Sequence, residues 1–280
     1  MTRRQALSRA RELLVANNIE SASLEAELLL RHILKIDRTL LYTEFDRELT
    51  PQQEESYRQC IERRLKGEPS AYITGHREFF GLDFFVDNNV LIPRPETELL
   101  VEQAITRSRK YPAPLIADIG TGCGAIAISL ALSLPNAHID AVDISEAAVA
   151  VAKRNCQKHS VQNRVRFLIG NMLEPLSEPA DIIVTNLPYV RTADLPRVNT
   201  IGFEPPLALD GGIDGLDMIR RLCFQVREKI KPLGCLLMEI GMGQSEAVTN
   251  LLRSIFPSAY IEVITELSGI KRVVCLTLPR

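Results

Sequence analysis

The stretch LIADIGTGCG at residues 115–124 decides the fold of this chain. An apolar run ends in Asp118 and passes into a loop with three glycines, and the small and apolar residues 125–134 follow. Glycines at the junction of a buried strand and a helix let the backbone approach a ligand without interference from Cβ atoms. The stretch therefore predicts a strand, a ligand-binding loop and a helix, which is the repeating unit of an α/β fold.

The spacing of these glycines, G-x-G-x-G, restricts which ligand the loop can bind. Dinucleotide-binding loops carry G-x-G-x-x-G, and nucleoside triphosphate loops end in G-K-[ST], which does not follow Gly124. Asp143 closes the next predicted strand, residues 137–142, where its carboxylate can accept hydrogen bonds from both hydroxyls of a ribose. Taken singly, the glycines could make only a tight turn and Asp143 could only cap a helix. Together they favour S-adenosylmethionine, a ribose-bearing cofactor that needs no phosphate site.

The predicted cofactor site also includes the tip of the third strand, residues 166–169, across which the adenine is expected to lie. Asn171 can hydrogen-bond to the exocyclic amine and Met172 can pack on the ring, and both alternatives stay open. The residues assigned to the cofactor are Asp118, Gly120, Thr121, Gly122, Cys123, Gly124, Asp143, Ile144, Asn171, Met172 and Asn186.

A second short motif, NLPY at residues 186–189, follows the apolar run 181–185. The carboxyl end of this predicted strand should lie at the same edge of the sheet as the glycine loop. An amide nitrogen is a poor nucleophile because its lone pair is delocalised, so the protein must orient it. The Asn186 side-chain oxygen and a nearby backbone carbonyl can accept both N–H groups, and Tyr189 can pack on the flat group.

The residues predicted to be catalytic are Asn186, Leu187, Pro188 and Tyr189. No strong base is required, since the attacked nitrogen becomes acidic only as it is alkylated. An ordinary proline-containing turn is the alternative interpretation.

These residues resemble the class I S-adenosylmethionine-dependent methyltransferases that modify amino nitrogens, whose usual turn is Asn-Pro-Pro-Tyr. Leu187 stands in place of the first proline, so the fixed φ of proline is lost here. The runs LIPRPETE at 91–98 and FEPPLALDGGIDGL at 203–216 are similar to signatures of the peptide chain release factor N5-glutamine methyltransferases. This resemblance extends over essentially the whole chain.

The resemblance implies methyl transfer from S-adenosyl-L-methionine to the side-chain nitrogen of glutamine in the Gly-Gly-Gln motif of class 1 release factors. The product of the cofactor is S-adenosyl-L-homocysteine. The residues implied to contact the substrate are Pro93, Arg94, Asn186, Leu187, Pro188, Tyr189 and Glu204. Alternatives are a glutamine methyltransferase of a ribosomal protein, an amino methyltransferase of nucleic acid, and a binding module that keeps the fold without catalysis. The segment 186–214 is predicted to form one wall of the glutamine pocket.

The composition of the 280 residues agrees with this interpretation. The net charge is only −2, and basic and acidic residues balance in the first seventy positions, so no stable nucleic-acid partner is expected. The sequence shows no long apolar span and no signal core, which predicts a cytoplasmic protein without a membrane partner. The six cysteines are scattered without C-x-x-C, so we predict reduced thiols and no metal site. A monomer is expected.

Three domains are predicted from the positions of these patterns. Residues 1–66 carry helical periodicity and should form a small helical bundle that binds the release factor. Residues 67–93 should be a connector with a β-hairpin, with strand-like runs at 71–73, 78–80 and 83–86. Residues 94–280 should form a Rossmann-like methyltransferase domain. Its expected sheet has seven strands and ends in an antiparallel hairpin, residues 260–265 and 272–278.

Overall fold

A computed structural model of the protein describes residues 1–197 and 202–279. The chain divides into two compact units, Met1–His76 and Arg77–Arg280. The first unit extends past residue 66, the expected end of the helical bundle. The extension is a short helix, Ser70–Thr74, whose Ile73 side chain joins the apolar core of the bundle. Of the predicted connector, residues 77–93, which include most of the hairpin, belong with the second unit.

The first unit consists of helices around one apolar core. Its helices are α1 (Arg3–Ala16), α2 (Ala22–Leu34), α3 (Arg38–Thr43), α4 (Pro51–Leu65) and α5 (Ser70–Thr74). Capping boxes begin α1 at Thr2 and α4 at Thr50, and each satisfies backbone N–H groups that a helix start leaves free. Leu14, Leu29 and Leu30 are fully buried between the helices.

The expectation of a strand-like run at residues 71–73 was wrong. The run forms α5, which begins after Pro69 and ends at Gly75 in the left-handed conformation. The β-branched Ile73 is used for packing instead, since it is buried together with Ala71. Tertiary packing therefore overrides the local β preference here. Helix α3 was not predicted either.

The second unit contains a small hairpin and one large mixed sheet. The hairpin strands are β1 (His76–Phe79) and β2 (Leu82–Phe85). The large sheet contains β3 (Leu115–Ile119), β4 (His138–Asp143), β5 (Val165–Ile169), β6 (Ala180–Thr185), β7 (Ile230–Glu239), β8 (Tyr260–Thr265) and β9 (Lys271–Thr277). The helices of this unit are α6 (Glu98–Ser108), α7 (Ala125–Ser133), α8 (Glu146–Lys158), α9 (Asp217–Lys229) and α10 (Ser245–Ile255).

The strand order of the large sheet is β5-β4-β3-β6-β7-β9-β8. Strands β3 to β7 are parallel, and β9 pairs antiparallel with both β7 and β8. The predicted seven-stranded mixed sheet with an antiparallel C-terminal hairpin is confirmed. The chain leaves β3 towards β4 on one side and returns to β6 on the other, which opens a crevice at the carboxyl end of β3. Both motifs singled out in the sequence lie at this end.

One buried side chain fixes the hairpin beside the glycine loop. Asn155 in α8 is fully buried, and its Oδ1 accepts a hydrogen bond of 2.7 Å from the Phe85 backbone N–H. Its Nδ2 donates to the carbonyl oxygens of Phe85 and Cys123, both at 2.9 Å. Strand β2 and the loop are therefore held by the same amide.

In the described part of the chain, no helix combines the length and the apolar character that crossing a bilayer requires.

Candidate active site

The glycine loop lies over the carboxyl end of β4. The backbone N–H groups of Gly120 and Thr121 donate to the Val142 carbonyl at 2.9 and 3.0 Å. Gly120, Gly122 and Gly124 have positive φ values of 73°, 55° and 84°. This conformation is costly for residues with a Cβ atom, which explains why glycine recurs at alternate positions.

The glycines of the loop differ in what surrounds them. A Cβ atom on Gly124 would lie 3.0 Å from Ile128 Cδ1 and 3.2 Å from Ala152 Cβ, so this glycine allows α7 and α8 to pack closely. A Cβ atom on Gly122 would meet nothing within 4 Å, so the backbone there borders open space. The open side of the loop fits a ligand that approaches the backbone closely.

Asp118 is fully buried beneath the loop. Its Oδ2 accepts hydrogen bonds from Thr121 Oγ1 at 2.7 Å and from the Ala127 backbone N–H at 3.1 Å. Its Oδ1 has no hydrogen-bond partner among the described residues. Burial raises the pKa of Asp118 to about 7. The carboxyl group therefore joins the loop to the start of α7 from beneath.

The raised pKa of Asp118 predicts a pH-dependent stability. The folded state binds this proton more tightly than the unfolded chain, so the stabilisation is present at low pH and is lost as pH rises through about 7. Through this group, the free energy of unfolding should fall by roughly 2–4 kcal/mol between about pH 4 and pH 8.

Urea unfolding of the cofactor-free protein at several pH values measures this loss. In Asp118→Asn the amide oxygen can still accept from Thr121 and Ala127, but the group does not titrate, so the decline should be smaller by that amount. If the free energy of unfolding fell equally with pH in the two proteins, the prediction would be contradicted.

Asp143 is half-buried at the end of β4 and faces the glycine loop. Its Oδ2 accepts from the Gly122 N–H at 2.9 Å and its Oδ1 accepts from the Ser145 N–H at 2.9 Å. Ser145 in turn caps α8 by accepting from the Ala148 N–H at 3.2 Å. Each carboxylate oxygen keeps a second lone pair, so helix capping and hydroxyl binding are compatible. Ile144 beside it is exposed.

The other predicted cofactor residues differ in exposure. Cys123 is buried, and burial raises the pKa of its thiol to about 12, so it is a neutral packing group. Asn171 donates to Glu174 at 2.6 Å and accepts from Arg221 at 3.1 Å, so both ends of its amide already have protein partners. Met172 has a positive φ of 54° and lies mostly within the apolar core.

The NLPY turn lies at the carboxyl end of β6, beside the glycine loop. Thr185 donates from its hydroxyl to the Ile119 carbonyl at 2.8 Å, which ties the end of β6 to the end of β3. Asn186 donates from Nδ2 to Thr97 Oγ1 at 3.1 Å. A Cβ atom on Gly120 would lie 3.3 Å from Leu187 Cδ2 and 3.9 Å from the Asn186 carbonyl. The turn and the loop are therefore in direct contact.

Tyr189 is held at both its ring and its backbone. Its hydroxyl donates to Glu239 Oε1 at 3.1 Å, and burial raises the pKa of the phenol. Its carbonyl accepts from Gln244 Nε2 at 3.0 Å. A neutral phenol that already donates to a carboxyl group is not available to act as a base.

The two proline-rich signature segments are joined by Glu204. Its side chain is buried, with Oε1 accepting from the Ile92 N–H at 3.0 Å and Oε2 accepting from Arg94 at 2.6 Å. The carbonyl of Pro93 accepts from Arg77 at 3.2 Å. Pro93, Arg94 and Glu204 are the predicted substrate residues in these segments. The Arg94 side chain is 34% exposed, whereas that of Glu204 is fully buried.

Two residues that contact the NLPY turn, Thr97 and Glu239, were not among the site residues predicted from the sequence. Thr97 belongs to the PRPET signature, but its hydroxyl meets Asn186 only through the fold. Glu239 could have been identified from the sequence, because it is the one acid in the apolar run 235–240 and ends a buried strand. The same feature identified Asp118 and Asp143. The segment 186–214, predicted to line the pocket, includes residues 198–201, which lie outside the described part.

A pocket of about 470 Å³ lies elsewhere, at the amino ends of β3, β4 and β5. Its charged residues include Asp140 and Arg166, which satisfy each other through hydrogen bonds of 2.8 and 2.6 Å. Because ligands of such sheets bind at the carboxyl ends of the strands, we assign the chemistry to the opposite edge. Among the described residues, no cluster of His, Cys, Asp and Glu could hold a metal ion.

Comparison with known proteins identifies relatives for both units of the chain. Residues 5–75 match the family described as PrmC N-terminal domain, and residues 95–202 match the methyltransferase small domain. The release factor glutamine methyltransferase of Geobacter sulfurreducens is 43% identical over 255 residues, which cover 89% of this chain and 88% of that protein. That of Moorella thermoacetica is 43% identical over 271 residues, 96% of each chain.

Among solved structures, a methyltransferase from Pyrococcus furiosus superposes with a TM-score of 0.52 at 17% identity, covering 80% of this chain and 100% of that one. At that identity the likeness supports the fold alone, and it agrees with the class I methyltransferase architecture of the second unit. The sequence relatives extend across both units and match nearly their full length. On this evidence the chain belongs to the release factor glutamine methyltransferase family.

Proposed function

We propose that this enzyme transfers a methyl group from S-adenosylmethionine to the side-chain amide nitrogen of the glutamine in the Gly-Gly-Gln motif of class 1 release factors. The observation that carries the proposal is the orientation of Asn186. Its Nδ2 is engaged by Thr97, so its Oδ1 is the end left to accept a hydrogen bond. An acceptor at this place suits the N–H group of a primary amide.

The cofactor would lie on the open side of the glycine loop. Gly122 leaves space for it, and the free lone pairs of Asp143 fit the two hydroxyls of its ribose. Ile144, which is exposed next to Asp143, is available to pack against the adenine, whereas Met172 lies mostly within the apolar core. When bound, S-adenosylmethionine supplies an electrophilic methyl group on a sulfonium.

The residues of the turn orient the nucleophile. Asn186 Oδ1 and the Leu187 carbonyl accept the two N–H groups, which aligns the nitrogen with the methyl group and stabilises positive charge as it develops. The ring of Tyr189 packs against the planar amide. No residue takes a proton before the transfer, since the alkylated nitrogen is acidic enough to lose it afterwards. The neutral Tyr189 phenol agrees with this order.

The N-terminal bundle is proposed to bind the release factor outside the tripeptide. Its near balance of charge and its separate apolar core suit a protein-binding module rather than a nucleic-acid-binding one. Hydrogen exchange of the full chain, with and without a release factor whose glutamine is replaced, tests this proposal. Protection by the release factor should include helices of residues 1–66. Protection confined to residues 77–280 would refute it.

Mass spectrometry of a class 1 release factor after incubation with the enzyme and S-adenosylmethionine tests the reaction. One methyl group should appear on the tripeptide glutamine and should be absent when that glutamine is replaced by glutamate. Methylation of another protein or of nucleic acid instead would assign the alternative substrates. Cofactor binding without transfer to any of them would indicate a binding module.

A further inference from the structure

The side chain of Gln244 joins three segments that lie apart in the sequence. Its Oε1 accepts from the Gly241 backbone N–H at 2.8 Å, in the loop that follows β7. Its Nε2 donates to the Tyr189 carbonyl at 3.0 Å and to the Gly215 carbonyl at 3.2 Å. One half-buried amide therefore links the end of the NLPY turn, the signature segment 203–216 and the start of α10.

The orientation of this amide is fixed by its partners. A backbone N–H can only donate and a carbonyl oxygen can only accept, so Gly241 must face Oε1 and the two carbonyls must face Nε2. Rotation of the amide by half a turn would set donor against donor at Gly241 and acceptor against acceptor at Tyr189 and Gly215. Nε2 carries two hydrogens, and each has a carbonyl acceptor. The Gln244 side chain thus has one favoured orientation.

Two glycines make room for this amide. Gly215 has a φ of 79°, and a Cβ atom there would overlap the Tyr189 carbonyl oxygen and lie 2.8 Å from Gln244 Nε2. A Cβ atom on Gly241 would lie 3.0 Å from Gln244 Oε1 and 3.1 Å from Tyr189 Cδ2. The last distance shows that one edge of the Tyr189 ring lies against Gly241. The three backbone segments can approach one side chain because these Cβ atoms are absent.

The position of Gln244 in its own helix does not account for these contacts. It is the N-cap residue of α10, where serine, threonine, aspartate or asparagine would accept a hydrogen bond from the first turn. Among the described residues, the Gln244 side chain makes no such bond. Its bond to Gly241 closes a local turn, but both of its donations go to distant carbonyls. The side chain therefore holds the NLPY turn instead of capping its helix.

We propose that Gln244 is a positioning residue that sets where Tyr189 meets the substrate amide. Glu239 holds the Tyr189 hydroxyl, and Gln244 holds the backbone from which the ring projects. With both ends fixed, the ring has a defined place beside Asn186. Gln244 acts through Tyr189 rather than on the substrate. The inference deepens the proposed function and rests on it for the identity of the substrate.

Steady-state kinetics of the full chain with a release factor tests this role. Gln244→Glu keeps the shape of the side chain and an oxygen for the Gly241 N–H, but at neutral pH its carboxylate has no hydrogen for the two carbonyls. We expect kcat to fall by about 10²-fold, the scale of a group misplaced by about 1 Å. The affinity for S-adenosylmethionine should stay close to that of the parent. Gln244→Leu removes all three bonds and should lose at least as much activity.

Gln103 provides the matched control. It is half-buried in α6 and accepts from Arg107 of the same helix. Gln103→Glu and Gln103→Leu should leave kcat unchanged, and calorimetric titration with S-adenosylmethionine checks that each variant is folded. A residue that only stabilised the fold would change the free energy of unfolding but not the kcat of the folded enzyme. Parent kcat in Gln244→Glu would overturn the inference, because the bonds to the two carbonyls would not be needed.

Nuclear magnetic resonance gives a readout that does not depend on the substrate. The Gln244 side-chain NH₂ signals, assigned by their loss in Gln244→Glu, should exchange with solvent more slowly than those of Gln52, which is exposed in α4. Equal exchange at the two glutamines would show that Gln244 does not hold the carbonyls, which also overturns the inference. If the parent enzyme methylates another protein instead of a release factor, the proposed function fails, and the same variants are compared on that substrate.

Discussion

Asn186→Ala is expected to lower kcat for methyl transfer to the release factor by about 10²- to 10³-fold, the usual cost of losing one preorganised hydrogen-bonding group at a reacting centre. The alanine lacks the oxygen that accepts the substrate N–H, so the amide nitrogen is neither aligned nor stabilised as charge develops. Single-turnover kinetics with saturating cofactor measures the loss directly.

The cofactor should still bind to Asn186→Ala. It is the Asn186 backbone carbonyl that lies beside Gly120, and the substitution leaves that atom in place. Titration calorimetry with S-adenosylmethionine should therefore give an affinity close to that of the parent enzyme. Asn186→Asp keeps an oxygen acceptor and should lose less activity than the alanine variant. Equal kcat for the alanine variant and the parent would remove Asn186 from the mechanism.

Gly211→Ala is expected to disrupt the NLPY turn, because Gly211 packs against the backbone of that turn. A Cβ atom on Gly211 would lie 2.8 Å from each of the Pro188 carbonyl, the Tyr189 Cα and the Gly215 carbonyl. All three are backbone atoms, so no side-chain rotation relieves the contact. We expect a loss of about 1–3 kcal/mol in the free energy of unfolding, the range for overpacking. A fall in kcat of roughly 10²-fold should accompany it as Pro188 and Tyr189 move.

Gly269→Ala is the matched control for this experiment. Gly269 lies in the β8–β9 turn with a φ of 86°, and a Cβ atom there would meet nothing within 4 Å. Its substitution should cost only the backbone strain, on the order of 1–2 kcal/mol, and leave kcat unchanged. If Gly211→Ala behaved like Gly269→Ala in both measurements, close packing behind the turn would not be needed for activity.

Much of the sheet was predictable because its central strands, such as β3 and β6, are buried along nearly their whole length and appear in the sequence as apolar runs. Predicted strand 260–265 coincides with β8 (Tyr260–Thr265), and β3 (Leu115–Ile119) was found at its predicted position. The short helices α3 and α5 were not predictable in this way. Their few residues form no clear periodicity, and they are stabilised mainly by contacts with other helices of the bundle.

The same distinction between local and long-range contacts decides how much of the site could be predicted. The glycine loop and the NLPY turn each consist of consecutive residues, so their chemistry could be inferred from short sequence motifs. The pairing of Asn186 with Thr97 spans 89 residues, and that of Tyr189 with Glu239 spans 50. Whether residues so far apart in the sequence meet depends on which strands become neighbours. In this sheet β6 lies next to β7. The pairing of these residues with the turn therefore became visible only with the fold, although Glu239 by itself stands out in the sequence as an acid that ends a buried strand.

We expect the contact of Leu187 with the glycine loop to couple the two proposed binding events. A cofactor that orders the glycine loop also restricts the turn that rests on it, so the second ligand to arrive meets a site with less conformational entropy left to lose. By reciprocity, whatever factor the cofactor adds to the affinity for glutamine, glutamine adds to the affinity for the cofactor. Leu187 is the residue through which we expect this coupling to run, since its side chain lies against the glycine loop.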